Sequence, residues 1–222
     1  MKAKYNDIKE IVEKELSCSA HNLDHVLRVC NLCIELAKYE TNIDFDVLIP
    51  AALLHDIARV QESGDKTGET DHAVLGGKLA EDILNNLGYD KEKIEGIKHC
   101  IIAHRFRSGN EPETIEAKIL FDADKLDAIG SIGIARSFML AGQFRQSLSN
   151  KESLNNNIDE NATENGRLKD VSKHSPLIEY EVKFKKIPGK LHTQKAQEMG
   201  TNRLKFMADY FERLTLEIEG VK

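Results

Sequence analysis

Apolar residues recur along most of this chain at three- and four-residue intervals, the period of a helix that buries one face. Ile8, Ile11, Val12 and Leu16 predict a first helix, and a second follows from about 22 to 38 with Val29, Leu32 and Leu36 in one stripe. The third is predicted from about 46 to 60, where Pro50 is tolerable because it lies near the first turn. Thr70 and Asp71 offer N-caps for a helix that ends at Gly88, placed as a C′ glycine. Asp90 caps another that reaches Arg105, and Pro112 with Glu113 opens the stretch to Ile129. A last helix from about 193 to 217 carries Leu204, Met207, Phe211 and Leu214 on one face. No period-two strand pattern and no internal repeat is visible, so the fold class expected is all-α.

The pattern breaks between 146 and 175 into Asn, Ser, Glu and Lys, including Asn155, Asn156 and Asn157. That stretch reads as a long polar loop, insertion or lid before the C-terminal helix. Lys183, Lys185, Lys186 and Lys190 follow around Pro188 and Gly189. With 222 residues, one sizeable helical domain over 1–222 accounts for the chain.

An apolar share of 41% and a charged share of 31% describe a globular chain, and the net charge of −6 argues against general nucleic-acid or membrane-surface binding. A basic pocket for a small anion is still compatible with that average. The N-terminus alternates Lys and Glu with Ile and Val, and no run of 18 apolar residues occurs, so a cytoplasmic location is expected. Cys18, Cys30, Cys33 and Cys100 are too few for a disulfide scaffold; Cys30 and Cys33 form a C-x-x-C without a second pair and read as buried reduced thiols. Homo-oligomerisation is left open.

Polar groups on apolar faces carry the chemistry. His55 and Asp56 end the run from Leu48 to Leu54, where unpartnered polar side chains are costly. His25 shares the stripe of Val29, Leu32 and Leu36, with His21 one turn earlier; His104 aligns with Ile97, Cys100 and Ile101, whereas His99 points outward with Glu92 and Glu95. Asp122 and Asp124 both fall on apolar lines of the 113–129 stretch. A single buried histidine is more often a hydrogen-bonded core residue than a ligand. Jointly, His25, His55, Asp56 and Asp124 give two imidazoles and two carboxylates, a thiolate-free set suited to Mn²⁺, Fe²⁺, Ni²⁺, Co²⁺ or Zn²⁺.

The stretches HNLDHVLRV (21–29), AALLHDIARV (51–60), DHAVLGG (71–77), IIAH (101–104) and ILFDADKLDAIGSIGIAR (119–136) together resemble the HD superfamily of metal-dependent phosphohydrolases, in a small bacterial branch. Lys183, Phe184, Thr193 and Arg203 share that branch's spacing. The resemblance implies an HD helical bundle and metal ligation by His25, His55, Asp56 and Asp124, with Asp124 preferred to Asp122 because Lys125 and Leu126 follow it. His72 and His104 stand where some subgroups hold a second metal, and are alternatively phosphate-binding or proton-donating; Asp56, His72 and His104 are the catalytic candidates. Lys125, Arg136, Lys183 and Arg203 are candidates to bind substrate phosphates, each with an ordinary ion pair as the competing role.

The implied activity is hydrolysis of a small phosphorylated compound, most concretely a nucleotide, by a pyrophosphohydrolase or nucleotidase using one or two divalent ions, Mg²⁺ among them. No Gly-Tyr-Pro follows, which disfavours cyclic dinucleotide hydrolysis, and Ile57, Ala58, Arg59 and Val60 replace the acidic pair usual in alarmone hydrolases. The alternatives are a non-catalytic nucleotide or metal sensor with the same fold, and a helical protein with a structural metal.

Overall fold

A computed structural model describes residues 3–16, 23–105, 109–148, 170 and 173–222, so His21, Cys18 and most of the polar stretch 146–175 lie outside the described residues. Among the described residues every regular element is helical: α1 Ala3–Glu15, α2 Leu23–Ala37, α3 Phe45–Leu54, α4 Arg59–Gly64, α5 His72–Asn86, α6 Lys91–Ala103, α7 Ile115–Asp127, α8 Gly130–Gln143, α9 Pro176–Val182 and α10 Gln194–Ile218. They group into two compact units, residues 1–125 with 192–196, and residues 126–191 with 197–222.

In the first unit α3 is central. Val47 through Leu54 are all buried, so this helix is apolar on every side, the mark of a helix enclosed by others. It packs against α1, α2 and α6, while α5 lies on α6. Asp44 caps its N-terminus by accepting the Asp46 amide at 3.0 Å, and Tyr5 reaches across to donate to the Asp46 carboxylate at 2.7 Å. Asp71 caps α5 through the Ala73 amide at 2.9 Å, as its sequence position predicts.

Two differences from the sequence reading matter. The third helix does not run to 60: it ends at Leu54, and the chain passes His55–Ala58 through tight turns in which Ile57 bonds to Leu54 O at 3.0 Å and Arg59 to Asp56 O at 2.9 Å. The apolar period continues through Ile57 and Ala58 because both are buried, which conceals the break. The second difference is α8, in a stretch for which no helix is expected after Ile129. Gly130 adopts φ 78°, ends the preceding turn and starts a helix whose Gly, Ser and β-branched residues give weak local propensity.

The second unit gathers its core around aromatic rings. Tyr180 stacks on Phe211 at 4.8 Å between centroids, and Phe138 meets Tyr210 at 6.0 Å. Met207 and Phe211 of the predicted apolar face are buried. No helix among the described residues is long and apolar enough to cross a membrane.

Candidate metal centre

Five elements of the first unit bring imidazoles and carboxylates together. His25 comes from the first turn of α2, His55 and Asp56 from the turn that ends α3, His72 from the start of α5, His104 from the end of α6, and Asp124 from the last part of α7. Five of the six are buried, and Asp124 keeps 18% of its side chain exposed. Because α3 unwinds after Leu54, His55 and Asp56 leave a turn rather than a continuing helix, which frees both to face one point.

The donor atoms form two trios that share Asp56. His25 Nε2 lies 3.3 Å from His55 Nε2, 3.6 Å from Asp56 Oδ2 and 3.5 Å from Asp124 Oδ1, and His55 Nε2 lies 3.7 Å from Asp56 Oδ2. On the other side, Asp56 Oδ1 is 3.6 Å from both His72 Nε2 and His104 Nε2, which are 3.3 Å apart. One carboxylate therefore turns an oxygen toward each pair of imidazoles.

Proton positions follow from the partners. His55 Nδ1 faces the Ala52 carbonyl at 2.8 Å and His104 Nδ1 faces the Ile101 carbonyl, and a carbonyl can only accept. Each ring thus carries its proton on Nδ1 and presents a lone pair at Nε2. Burial pushes the His55 imidazole down to about 4, so the ring is neutral at pH 7. His72 is also lowered, chiefly by burial. Burial works to raise Asp124, but Lys125 and His25 outweigh it and hold the carboxyl well below its ordinary range. Lys125 donates to Asp124 Oδ2 at 2.6 Å and to the His104 carbonyl at 3.0 Å.

Lone pairs on neutral imidazoles and ionised carboxylates repel when they converge, so such a cluster suits a cation. A first-row divalent ion bonded at about 2.1 Å spaces its ligand atoms about 3.0 Å apart in an octahedron and about 3.4 Å in a tetrahedron. The separations of 3.3–3.7 Å around His25, His55, Asp56 and Asp124 begin inside that range and exceed it by at most about 0.3 Å. Those of 3.3–3.6 Å in the trio of Asp56, His72 and His104 do the same.

Asp122 and Asp124 are divided by what they face. Asp122 is buried and its carboxylate accepts from the amides of His192 at 2.8 Å and Thr193 at 2.7 Å and from the Thr193 hydroxyl at 2.7 Å. Its oxygens are engaged by backbone, whereas Asp124 faces His25. His99 is half-buried, and its Nε2 accepts the Glu113 amide at 3.0 Å. Cys30, Cys33 and Cys100 are buried free thiols.

Three of the phosphate-binding candidates belong to the second unit, and each has a partner there. Arg136 donates to Asp127 at 2.7 Å, Lys183 to Glu179 at 2.7 Å, and Arg203 to the Leu126 carbonyl.

Two residues absent from the sequence reading as site groups stand beside the second trio. Arg59 Nε lies 3.4 Å from Asp56 Oδ1, and Arg59 Nη1 donates to Glu62 at 2.6 Å. Glu62 Oε2 is 3.1 Å from His72 Nδ1. Burial tends to raise Glu62, yet His72 and Arg59 outweigh it and hold the carboxyl at about 2. Arg59 stands three residues after Asp56 and Glu62 three after Arg59, and that spacing was the available signal.

Residues 22–129 match the HD domain family. Over 207 residues the chain is 29% identical to the uncharacterised protein YpgQ of Bacillus subtilis, covering 91% of this chain and 87% of that one. The solved structure of YpgQ in complex with ADP superposes with a TM-score of 0.72 at 27% identity, covering 98% of this chain and 100% of that one. An HD-superfamily hydrolase from Bacillus thuringiensis gives 0.68 at 26% identity, covering 97% and 95%. A predicted HD-superfamily hydrolase from an uncultured Thermotogales bacterium gives 0.63 at 26% identity, covering 98% and 92%.

Proposed function

The chain belongs to the HD superfamily of metal-dependent phosphohydrolases, and on that premise we propose that it cleaves a phosphoanhydride or phosphoester bond of a small nucleotide. A nucleoside triphosphate is the substrate that best suits it, released as monophosphate and pyrophosphate or stepwise as phosphate. The observation that carries the reading is the convergence on His25 Nε2 of His55 Nε2, Asp56 Oδ2 and Asp124 Oδ1 at 3.3–3.6 Å. The nucleotide preference is supported by the ADP complex of YpgQ.

His25, His55, Asp56 and Asp124 would hold the first divalent ion, and Asp56, His72 and His104 a second. Such an ion, when bound, makes water a better nucleophile near neutral pH and offsets negative charge at the phosphoryl group. The side chains do the rest. Asp56 turns one oxygen toward each imidazole pair, so a single carboxylate would serve both ions, and the Nδ1–H bonds of His55 and His104 to backbone carbonyls fix the direction of their lone pairs. Lys125 sits against Asp124, where an ammonium can also take a substrate phosphate oxygen. Water adds to phosphorus as the P–O bond opposite it breaks, and the proton that water gives up balances the one the leaving oxygen gains. In molecules with the second trio free of metal, the Nε2 lone pair of His72 or His104 would first take up a proton, and that Nε2–H would then pass to the leaving oxygen. We read 1–222 as one HD domain with 146–175 as its insertion, in a cytoplasmic enzyme.

The test is hydrolysis of a panel of ribo- and deoxyribonucleotides with Mn²⁺, Mg²⁺, Fe²⁺, Co²⁺ or Ni²⁺, comparing wild type, EDTA-treated wild type and Asp56→Ala. The expected result is turnover that EDTA abolishes, added metal restores, and Asp56→Ala lowers by at least about 100-fold, since the ligand removed serves both trios. Absence of metal-dependent cleavage of every phosphorylated compound, with metal demonstrably bound, would refute the proposal.

A further inference from the structure

Glu62 lies outside both trios, on a helix with no buried residue, yet only 13% of its side chain is exposed. Its Oε2 stands 3.1 Å from His72 Nδ1 and 2.6 Å from Arg59 Nη1, and its Oε1 stands 3.3 Å from Arg105 Nη2. Arg105 extends the chain of contacts by pairing with Asp71 at 2.7 Å. Asp71 precedes His72 and caps its helix; Arg105 follows His104. The Asp71–Arg105 ion pair therefore joins the neighbours of the two histidines, one residue outside the 3.3 Å His72–His104 approach.

We infer that Glu62 is a positioning residue that holds the His72 proton on Nδ1 and so keeps the Nε2 lone pair turned toward Asp56 Oδ1 and His104, with the Arg59, Arg105 and Asp71 network fixing Glu62 in place. The inference rests on the phosphohydrolase reading of the second trio but specifies a residue that reading does not use. The rival arrangement has Arg59 Nη1, 3.2 Å from His72 Nδ1, donating to that nitrogen and forcing the proton onto Nε2. Two features favour Glu62. Glu62 Oε2 lies nearer His72 Nδ1 than Arg59 Nη1 does, at 3.1 Å against 3.2 Å, and an ionised carboxylate is a strong acceptor for an imidazole N–H. A carboxylate behind a metal-facing histidine also raises its basicity and fixes its ring, an arrangement whose loss costs about 10–100-fold in metal affinity or activity.

The experiment reads the proton directly, by long-range ¹H–¹⁵N correlation of the histidine rings in uniformly labelled, metal-free full-length protein at pH 7.5, with His72 assigned from a His72→Gln variant. In parallel, Co²⁺ titration calorimetry measures the affinity of each site. Wild-type His72 is expected to carry its proton on Nδ1. Glu62→Ala is expected to move it to Nε2, wholly or in part, and to weaken the second Co²⁺ event about 10–100-fold. Glu62→Gln retains an acceptor oxygen toward Nδ1 and is expected to keep the wild-type proton position and to stay within about threefold in affinity, because the hydrogen bond itself survives. A wild-type proton on Nε2 overturns the inference, as does a Glu62→Ala protein that loses affinity without moving the proton or changes neither. Should Glu62→Ala not fold, wild type and Glu62→Gln decide the question between them. No substrate enters these measurements, so a protein without hydrolytic activity would refute the proposed function while leaving the role of Glu62 to be judged by the proton.

Discussion

Alanine at Asp122 and alanine at Asp124, two residues apart on α7, should produce opposite phenotypes. Asp122 accepts three hydrogen bonds, from two backbone amides and a hydroxyl, at 2.7–2.8 Å. Hydrogen bonds to a charged acceptor contribute about 1.5–3 kcal/mol each, and a buried donor left unsatisfied costs about 1–3 kcal/mol. The sum is reduced because burying this carboxylate is itself unfavourable, as its raised pKa indicates. A net loss of about 3 kcal/mol follows, which for a domain of this size lowers Tm by about 6–12 °C. Asp124→Ala strands no backbone amide among the described residues but gives up the pairing with Lys125 that holds its carboxyl low, so metal-free protein should lose less than Asp122→Ala, about 1–2 kcal/mol or about 2–8 °C in Tm. The metal response reverses the order. A ligand at 100 times its Kd stabilises by about 2.7 kcal/mol, so wild type and Asp122→Ala should each gain about 5–11 °C on adding Mn²⁺. Asp124→Ala should gain little. The assay is differential scanning fluorimetry of EDTA-stripped protein with and without Mn²⁺. An Asp124→Ala protein that keeps the full metal shift, or an Asp122→Ala protein that melts with wild type, would show that the two carboxylates have been given the wrong roles.

Three other consequences are open to measurement. Glu179, paired with Lys183 and His174, is held at about 2 against an ordinary 4.5 even though burial opposes this, so its folded form binds protons less readily than the unfolded chain; the stability it adds is complete above about 4.5 and fades as pH falls toward 2, and Glu179→Gln should flatten the Tm-versus-pH curve in that window. Burial raises the thiols of Cys30 to about 11 and Cys100 to about 12, so a disulfide-exchange reagent at pH 8 should modify the three core cysteines only at the rate of unfolding; fast labelling of folded protein would contradict their burial. At Gly133 an added Cβ would meet the Ala128 carbonyl oxygen at 2.2 Å, so Gly133→Ala should destabilise the protein by about 3 kcal/mol or more, and a Tm within 2 °C of wild type would rule out that close approach.

What the sequence revealed depended on whether a local rule governed the position. The start of α5 was legible because Asp71 caps it in isolation, and the inward face of α2 because His25 shares a stripe with residues that are buried whatever packs on them. The end of α3 was not, since Ile57 and Ala58 stay buried after the backbone has left the helix, so hydrophobic period and hydrogen bonding part company there. α8 escaped because its helicity comes from packing rather than propensity, as with Gly133 lying tight against the preceding turn. Helical phase placed both Asp122 and Asp124 inward without separating them; what separates them is the 192–193 backbone, some 70 residues away in sequence. Arg59 and Glu62 were not singled out because their partner His72 lies 10–13 residues further along and only the fold brings it to them.

α4 carries Arg59 and Glu62 and buries no residue of its own. Its reach into the site runs through two charged side chains, Arg59 toward Asp56 and Glu62 toward His72, so the field around the second trio is set from a segment that holds none of the buried apolar core. Charge changes at these two positions therefore act on His72 and Asp56 without removing a residue of the buried interior.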